Sequence, residues 1–434
     1  MNLLYENDQT GVYPQSWYAA TSDALEPFAP LKGSQTSDVC VVGAGYTGLS
    51  AALHLAKLGY SVSVLEAQRI GFGASGRNGG QLGSGQRVEQ DELISRLGEG
   101  HAKQLWDLAE HSKALVHSLI EAHQIDCHVK PGIAEFALRA KEMDELHRYA
   151  DLLHDHYGYE QIETLNVAQG RDLCASPRYH GGYIDLGAAH LHPLKLCFGL
   201  ARAAQKAGVR FFEGSEVKAI KKGRIIRVST PKGDMTSDFL VLACNGYLGA
   251  LEPRIAARVM PINNFIAVSE PLEQGQWNVL QKDIAVADTK FVVNYFRKTH
   301  DNRLLFGGGE NYSYRFPKDL AATVRAPMTH IFPQLKDIKL DYAWGGTLAI
   351  TMTRLPYFTR SDQNILSASG YSGHGVGMAT LAGKLMAEAI EGRSREFDCF
   401  QNIPSLRFPG GRFARTPLLV LAMIWYQMRD RLGF

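Results

Sequence analysis

A chain of 434 residues exceeds what one hydrophobic core of ordinary size organises, so two domains are expected. Hydrophobic residues at 45% and charged residues at 21% are a globular composition, and 46 basic against 44 acidic side chains leave a formal charge of only +2, which argues against a nucleic-acid partner. The six cysteines, Cys40, Cys127, Cys174, Cys197, Cys244 and Cys399, stand singly with no C-x-x-C pair, so they read as buried reduced thiols and not as a disulfide framework or metal site.

The first 18 residues, MNLLYENDQTGVYPQSWY, have neither a basic start nor an apolar stretch, and a cytoplasmic protein is expected. Residues 38–68 then read as one β-α-β unit. DVCVV is a short apolar run suited to a buried parallel strand, LSAALHLAKLG is an amphipathic helix ending at Gly59, and YSVSVLE is a second strand ending in Glu66. Gly43, Gly45 and Gly48 form G-x-G-x-x-G at the strand-to-helix turn. There the first glycine permits the turn, the second lets a pyrophosphate approach the backbone, and the third lets helix and strand pack closely. Glu66 lies 18 residues after Gly48, where a carboxylate can accept both ribose hydroxyls and would repel a 2′-phosphate. The unit therefore predicts a dinucleotide with a free ribose, FAD or NAD.

GFGASGRNGGQ, residues 71–81, leaves the same sheet edge a few residues after Glu66. A second glycine-rich cradle suits a large flat isoalloxazine ring better than a nicotinamide, which favours FAD. Further along, His190 and His192 in AHLHPLKL lack a third ligand and read as structural histidines. Residues 210–246 alternate with period two, predicting a small meander followed by a buried strand, FLVLA, that returns to the dinucleotide sheet. ILSASGYSGHGVGMATLAGKLMAEAIEG, residues 365–392, repeats strand, glycine turn and helix, with Gly370, Gly373, Gly375 and Gly377 in the turn. A helix start aimed at the flavin would stabilise negative charge on the reduced ring. PLLVLAMIWYQM, residues 417–428, is apolar but only 12 residues long, which predicts a packed terminal helix, with docking on the inner-membrane surface as the alternative.

These stretches, with SWYAA, HLHPLKL, DNRLLFGGG, FPGGRFARTP and the closing RDRLG, resemble the FAD-dependent amine and amino-acid oxidoreductases of the D-amino acid oxidase/glycine oxidase superfamily, and most of all its bacterial γ-glutamylputrescine oxidase branch. The resemblance implies an α/β (α+β two-domain) fold: a discontinuous Rossmann-like FAD-binding domain, an inserted substrate domain built on a mostly antiparallel sheet, and a C-terminal helix. The order of segments places the FAD domain at 1–95, 180–250 and 350–405, the substrate domain at 96–179 and 251–349, and a C-terminal extension at 406–434. By resemblance, Gly43, Gly45, Gly48, Glu66, Ser75, Arg77, Asn78, Gly79, Gly80, Val217, Gly373, His374 and Gly375 line the cofactor. WGGTLAITMTRLPYF has no cysteine where some relatives attach FAD covalently, so non-covalent FAD is expected. Asn294 stands where the branch is expected to carry an acid.

Such an enzyme holds the C–H bond of a neutral amine over flavin N5, and hydride transfer gives an imine that water hydrolyses to an aldehyde or keto acid and ammonia. His374, Tyr295, Trp344 and Tyr371 are the candidate catalytic residues, and Arg297 and Thr347 the candidate substrate contacts. The leading expectation is oxidation of an amine, with γ-glutamylated amines or polyamines and amino acids as substrates and molecular oxygen as acceptor. One alternative passes the electrons to a membrane quinone, and one of another class is a non-catalytic dinucleotide-binding sensor or scaffold.

Overall fold

The computed structural model describes residues 2–273, 278–290, 292–311 and 313–409. The expected C-terminal helix and its membrane contact through residues 417–428 lie outside the described residues.

The Rossmann unit forms as its sequence pattern dictates. Val39–Val42 pairs in parallel with Val62–Leu65, and the helix Tyr46–Lys57 crosses between them. Alternation along the first strand sends Val39 and Val41 into the main core and Cys40 and Val42 into a second core on the other face. The sheet has six strands, in the order Tyr357–Asp362, Ile365–Ser369, Phe239–Leu242, Val39–Val42, Val62–Leu65, Arg210–Phe212, and every pairing is parallel except that of the outermost Tyr357–Asp362. Helices Tyr46–Lys57, Pro193–Lys206 and Gly375–Ile390 contribute to the main core, and a four-stranded sheet supplies Ile226, Val228 and Met235 to the other. That sheet joins Gly33–Thr36 to the predicted meander, whose first strand, Arg210–Phe212, has instead been taken into the six-stranded sheet.

The second layer is a nine-stranded, mostly antiparallel sheet. Leu340–Ile350, Met260–Pro271, Arg303–Asn311 and Tyr295–Lys298 form one side; Ala285–Asp288, Lys130–Phe136, Gly182–His190 and Gln81–Leu82 continue it, and Ile162–Leu165 also pairs with Gly182–His190. Gln81–Leu82 and Gly182–His190 thus pair in this sheet, although both fall in ranges expected above to be pieces of the FAD domain. One face packs Phe265, Phe296 and Phe306 against Val324, Met328 and Ile331 of the helix Leu320–Ile331. The other sends Ile266, Val268, Leu305 and Trp344 into the core shared with the Rossmann helices. The glycine-rich segment 71–83 runs between the two large sheets and ends as a short strand of the second.

No helix among the described residues is long and apolar enough to cross a membrane.

Candidate cofactor and substrate site

The site begins at the first glycine turn. Gly43 has φ +103°, and a Cβ there would lie 2.8 Å from the carbonyl oxygen of Ala243 on the neighbouring strand; at Gly48 a Cβ would lie 1.9 Å from the Gly43 carbonyl. Neither position admits a side chain, so the helix starts close against the strand. Its N-cap is Gly45, which offers no side-chain acceptor to the first turn. The N–H of Tyr46 donates to Ser75 Oγ (3.0 Å), which brings the second glycine loop to the helix start. With no N-cap side chain and the Ser75 hydroxyl on its first N–H, the partially positive helix end suits a pyrophosphate.

Glu66 follows the second strand and accepts hydrogen bonds from the N–H groups of Ala44 (2.8 Å) and Gln68 (2.9 Å). Burial pushes its carboxyl up to about 7; the charge of Glu213 adds to this and the backbone donors oppose it. Half of its ionisation at neutral pH is thus withheld until further donors arrive, which two ribose hydroxyls would be. Ser215 donates to the Glu66 carbonyl (2.8 Å), and this contact holds half-buried Val217 near the same strand end.

In the 71–83 segment the glycines face protein. A Cβ at Gly79 would meet the Tyr295 ring at 2.8 Å, and Gly80, at φ +78°, would meet the Leu191 carbonyl oxygen at 2.0 Å. The Asn78 amide donates to the Ala74 and Ser75 carbonyls and accepts from the Gly80 N–H, so within the protein it stitches the loop. Arg77 is similarly committed, to Asp8 (2.9 Å), to the Phe72 and Gly345 carbonyls, and to the face of the Phe72 ring. Its Nη2 is buried without a protein acceptor, so that nitrogen is what Arg77 has left for a cofactor oxygen.

The second glycine turn meets the first. The Tyr371 hydroxyl lies 2.7 Å from Thr47 Oγ1 in the first turn of the Rossmann helix, and it donates to the Ala368 carbonyl (3.1 Å). Tyr371 is buried. It is therefore a tie between two helix starts, and its expected place on the catalytic wall is corrected: an aromatic ring beside a glycine turn can face either way, and this one faces the core. Tyr371→Phe is expected to cost about 1–2 kcal/mol of stability by leaving Thr47 without its partner, with turnover changed less than about threefold. A large loss of kcat at unchanged thermal stability would restore the catalytic assignment.

The helix Gly375–Ile390 starts three residues before the predicted run, with His374 as an N-cap whose side chain does not cap. The His374 ring stands over Gly83, where a Cβ would lie 3.0 Å from its Cε1. Burial, with Arg87 next, pushes it down to about 4, so it is neutral at physiological pH. Gly373 precedes it at φ +94° with open space where a Cβ would sit.

Trp344, a second expected catalytic residue, is also a packing residue: it is fully buried, donates from Nε1 to the Arg77 carbonyl (3.0 Å) and meets Tyr18 edge-on. Thr347 is buried and donates to Asn263 Oδ1 (2.8 Å), which spends its hydroxyl proton. Arg297 is buried on the face that carries Tyr295, where it donates to the carbonyls of Gly79, Leu191 and Lys298. It lines a small cavity with Trp17, His128, His190, His192 and His300, so it anchors the glycine loop from behind. In that cavity His192 caps the helix Pro193–Lys206 through Nδ1, and burial with the Arg297 charge pushes it down to about 2. No group of three or more His, Cys, Asp or Glu suited to a metal ion occurs among the described residues.

Tyr295 lies against the second glycine loop. Half-buried between Gly79 and Gly307, it donates to Asn264 Oδ1, and Asn264 in turn donates to the Gly309 carbonyl. Sequence reasoning missed Asn264, which stands in no recognisable motif, and Thr47, which fills a variable position of G-x-G-x-x-G, where only the glycines carry a signal. Asn294 faces elsewhere: it donates to Asp288 (2.7 Å), which also accepts from Tyr179 in the core beneath the helix Leu320–Ile331. An acid or amide at 294 therefore does not shape the face that bears Tyr295.

Two helix starts with no N-cap side-chain bond, a buried carboxylate at a strand end and the orphaned Arg77 Nη2 fit FAD. Residues 38–389 match the family model described as DAO, FAD dependent oxidoreductase. The chain is 42% identical to a probable oxidoreductase OrdL of Rhizobium meliloti (strain 1021), over 96% of this chain and 97% of the relative. It is 41% identical to the gamma-glutamylputrescine oxidoreductase of Escherichia coli (strain K12), over 97% and 99% respectively. Among solved structures, glycine oxidase from Geobacillus kaustophilus superposes with a TM-score of 0.71 at 22% identity, covering 83% of this chain and 95% of that one, a likeness of fold.

Proposed function

The chain belongs to the DAO family of FAD-dependent oxidoreductases, and from that premise we propose that it oxidises a small amine, with γ-glutamylated amines as the first substrate class and molecular oxygen as the acceptor. The expected α/β two-layer fold, the FAD cofactor and the oxidoreductase class hold; a non-catalytic scaffold is set aside with them. The observation that carries the proposal is the hydrogen bond between Thr47 and Tyr371, which fixes these two helix starts beside one another where one extended cofactor can use both.

Bound FAD, held without a covalent bond, supplies the two-electron acceptor. The chain's own residues hold and orient. Gly43, Gly45 and the Tyr46–Lys57 helix start receive the pyrophosphate, Glu66 the ribose, and Arg77 Nη2 a cofactor oxygen. Tyr295 and His374 stand at the two ends of segment 79–83 and wall the substrate. The hydrogen bond from the Tyr295 hydroxyl to Asn264 fixes the ring's orientation in that wall. A neutral His374 adds no positive charge against an ammonium group, and a desolvating wall favours the neutral amine from which the reaction proceeds.

The test is the visible spectrum of the purified holoenzyme under anaerobic conditions as γ-glutamylputrescine is added. Bleaching of the flavin bands within seconds, with hydrogen peroxide formed on admitting air, is the expected result. Bands that persist would remove this substrate class, and bleaching without peroxide would remove oxygen as acceptor.

A further inference from the structure

Residues 2–13 precede the part of the chain matched by the family model, and they form an arm joining three segments that are far apart in sequence. Near the strand end that carries Glu66, Asn2 and Tyr5 both donate to the carboxylate of Glu216 (3.0 and 2.7 Å), the residue before Val217. Beside them, buried Gln68 is held from both sides, donating to the Leu4 carbonyl (2.6 Å) and accepting from the Gly11 N–H (2.7 Å). Gln68 is the residue whose own N–H holds the Glu66 carboxylate. Over the glycine loop, both oxygens of Asp8 lie 2.9 Å from Arg77 Nη1. At the nine-stranded sheet, Asn7 donates to the Tyr314 carbonyl (2.7 Å) and accepts from the Phe316 N–H (2.8 Å), while Glu6 pairs with Arg315 (2.6 Å).

These contacts follow the path an extended dinucleotide would take, from the ribose carboxylate at Glu66 to the loop at Arg77. Tyr13, whose ring meets Phe72 and Phe198, anchors the arm at its C-terminal end, but before it the arm is held mainly by polar groups: its helix Leu3–Glu6 buries no residue, and Tyr5 and Val12 are exposed. A segment with many hydrogen bonds and little buried apolar surface opens at low cost while the domains beneath it stay folded.

We propose that residues 2–13 are a strap closing the outer side of the FAD site, which opens to admit the cofactor and slows its release when docked on residues 314–316. The proposal rests on the FAD reading above. Glu6 and Asn7 are the right handles for a test, because they hold the far end of the strap and touch none of the groups assigned to the cofactor.

In full-length protein carrying Glu6→Gln and Asn7→Ala, FAD release on dilution, followed by recovery of flavin fluorescence, is expected to run about tenfold faster than in the parent. The thermal midpoint of the apoprotein is expected to stay the same, since the strap is loosely held there in any case. Asp8→Asn, which weakens the middle contact, should speed release in the same direction by less. An unchanged release rate in the double variant would overturn the strap, and so would an apoprotein midpoint that falls with the release rate, since that marks a merely structural segment. Parent protein that retains no FAD would overturn both this inference and the reading beneath it.

Discussion

Gly383→Ala is expected to destabilise the apoprotein by about 2–3 kcal/mol and to weaken FAD binding by at least about tenfold, whereas Gly377→Ala, six residues earlier on the same helix, should stay within about 1 kcal/mol of the parent. Replacing a helical glycine by alanine ordinarily stabilises by about 1 kcal/mol through the backbone entropy of the unfolded chain. At position 383 that gain is overwhelmed. A Cβ there would lie 2.4 Å from the Thr47 carbonyl oxygen, 2.6 Å from the Ala51 nitrogen and 2.7 Å from Ser50 Cβ, so the obstacle is largely the backbone of the crossing helix and no rotamer relieves it. At Gly377 the nearest atoms are Ser112 Oγ at 2.5 Å and Leu82 Cδ1 at 3.0 Å, ends of side chains that can turn away. The two helices crossing at Gly383 are those whose starts are tied by Thr47 and Tyr371, and Ser50 donates to the Thr380 carbonyl at the same crossing. Forcing them apart therefore displaces both anion-binding ends together. Urea unfolding of the apoprotein and FAD titration by flavin fluorescence read the two effects. Equal stability of Gly383→Ala and parent would show that the crossing is looser than described.

What was legible in the sequence was what the chain encodes locally. The strand, turn, helix and acid of residues 38–66 need only their neighbours, and the second unit of 365–392 is likewise continuous, so the elements of both form in the expected order, with each helix starting about a turn earlier than its apolar run and taking the last glycines of the turn into it. The mostly antiparallel character of the second sheet followed from the resemblance, but its membership did not: Gln81–Leu82 pairs with residues more than a hundred positions away, and nothing local announces that. Tyr371 and Trp344 lie, in sequence, near the expected cofactor edge, which makes each a candidate for the wall. Which way such a ring points depends on Thr47 and on the Arg77 carbonyl, partners supplied by distant segments. At Gly79 and Gly80 the space a Cβ would take is filled by Tyr295 and the Leu191 carbonyl, neighbours that only distant segments supply. The arm at 2–13 was invisible for a related reason: polar groups that bond across more than two hundred residues leave no periodic signature.

Glu66 offers the second large effect, and its sign follows from its environment. The folded apoprotein raises this carboxyl from 4.5 to about 7, first by burial and then by the charge of Glu213. Between those two values the native state keeps a proton that the unfolded chain has released. Stability contributed by that proton is complete below 4.5 and is lost as pH rises through 7. Relative to Glu66→Gln, the parent apoprotein is thus expected to lose stability across this window and to run parallel above it. FAD binding should show the opposite slope. Ribose hydroxyls donate to the carboxylate and not to the protonated acid, so binding expels the proton and the parent's affinity rises by up to about tenfold per pH unit until it levels off above the raised value. Glu66→Gln should bind FAD about 10–100-fold more weakly at pH 8, the worth of one or two charge-assisted hydrogen bonds, and with no such slope. Isothermal titration with FAD at several pH values, in buffers of different ionisation enthalpy, counts the protons released. The same proton count in the parent and in Glu66→Gln would deprive Glu66 of its place at the ribose.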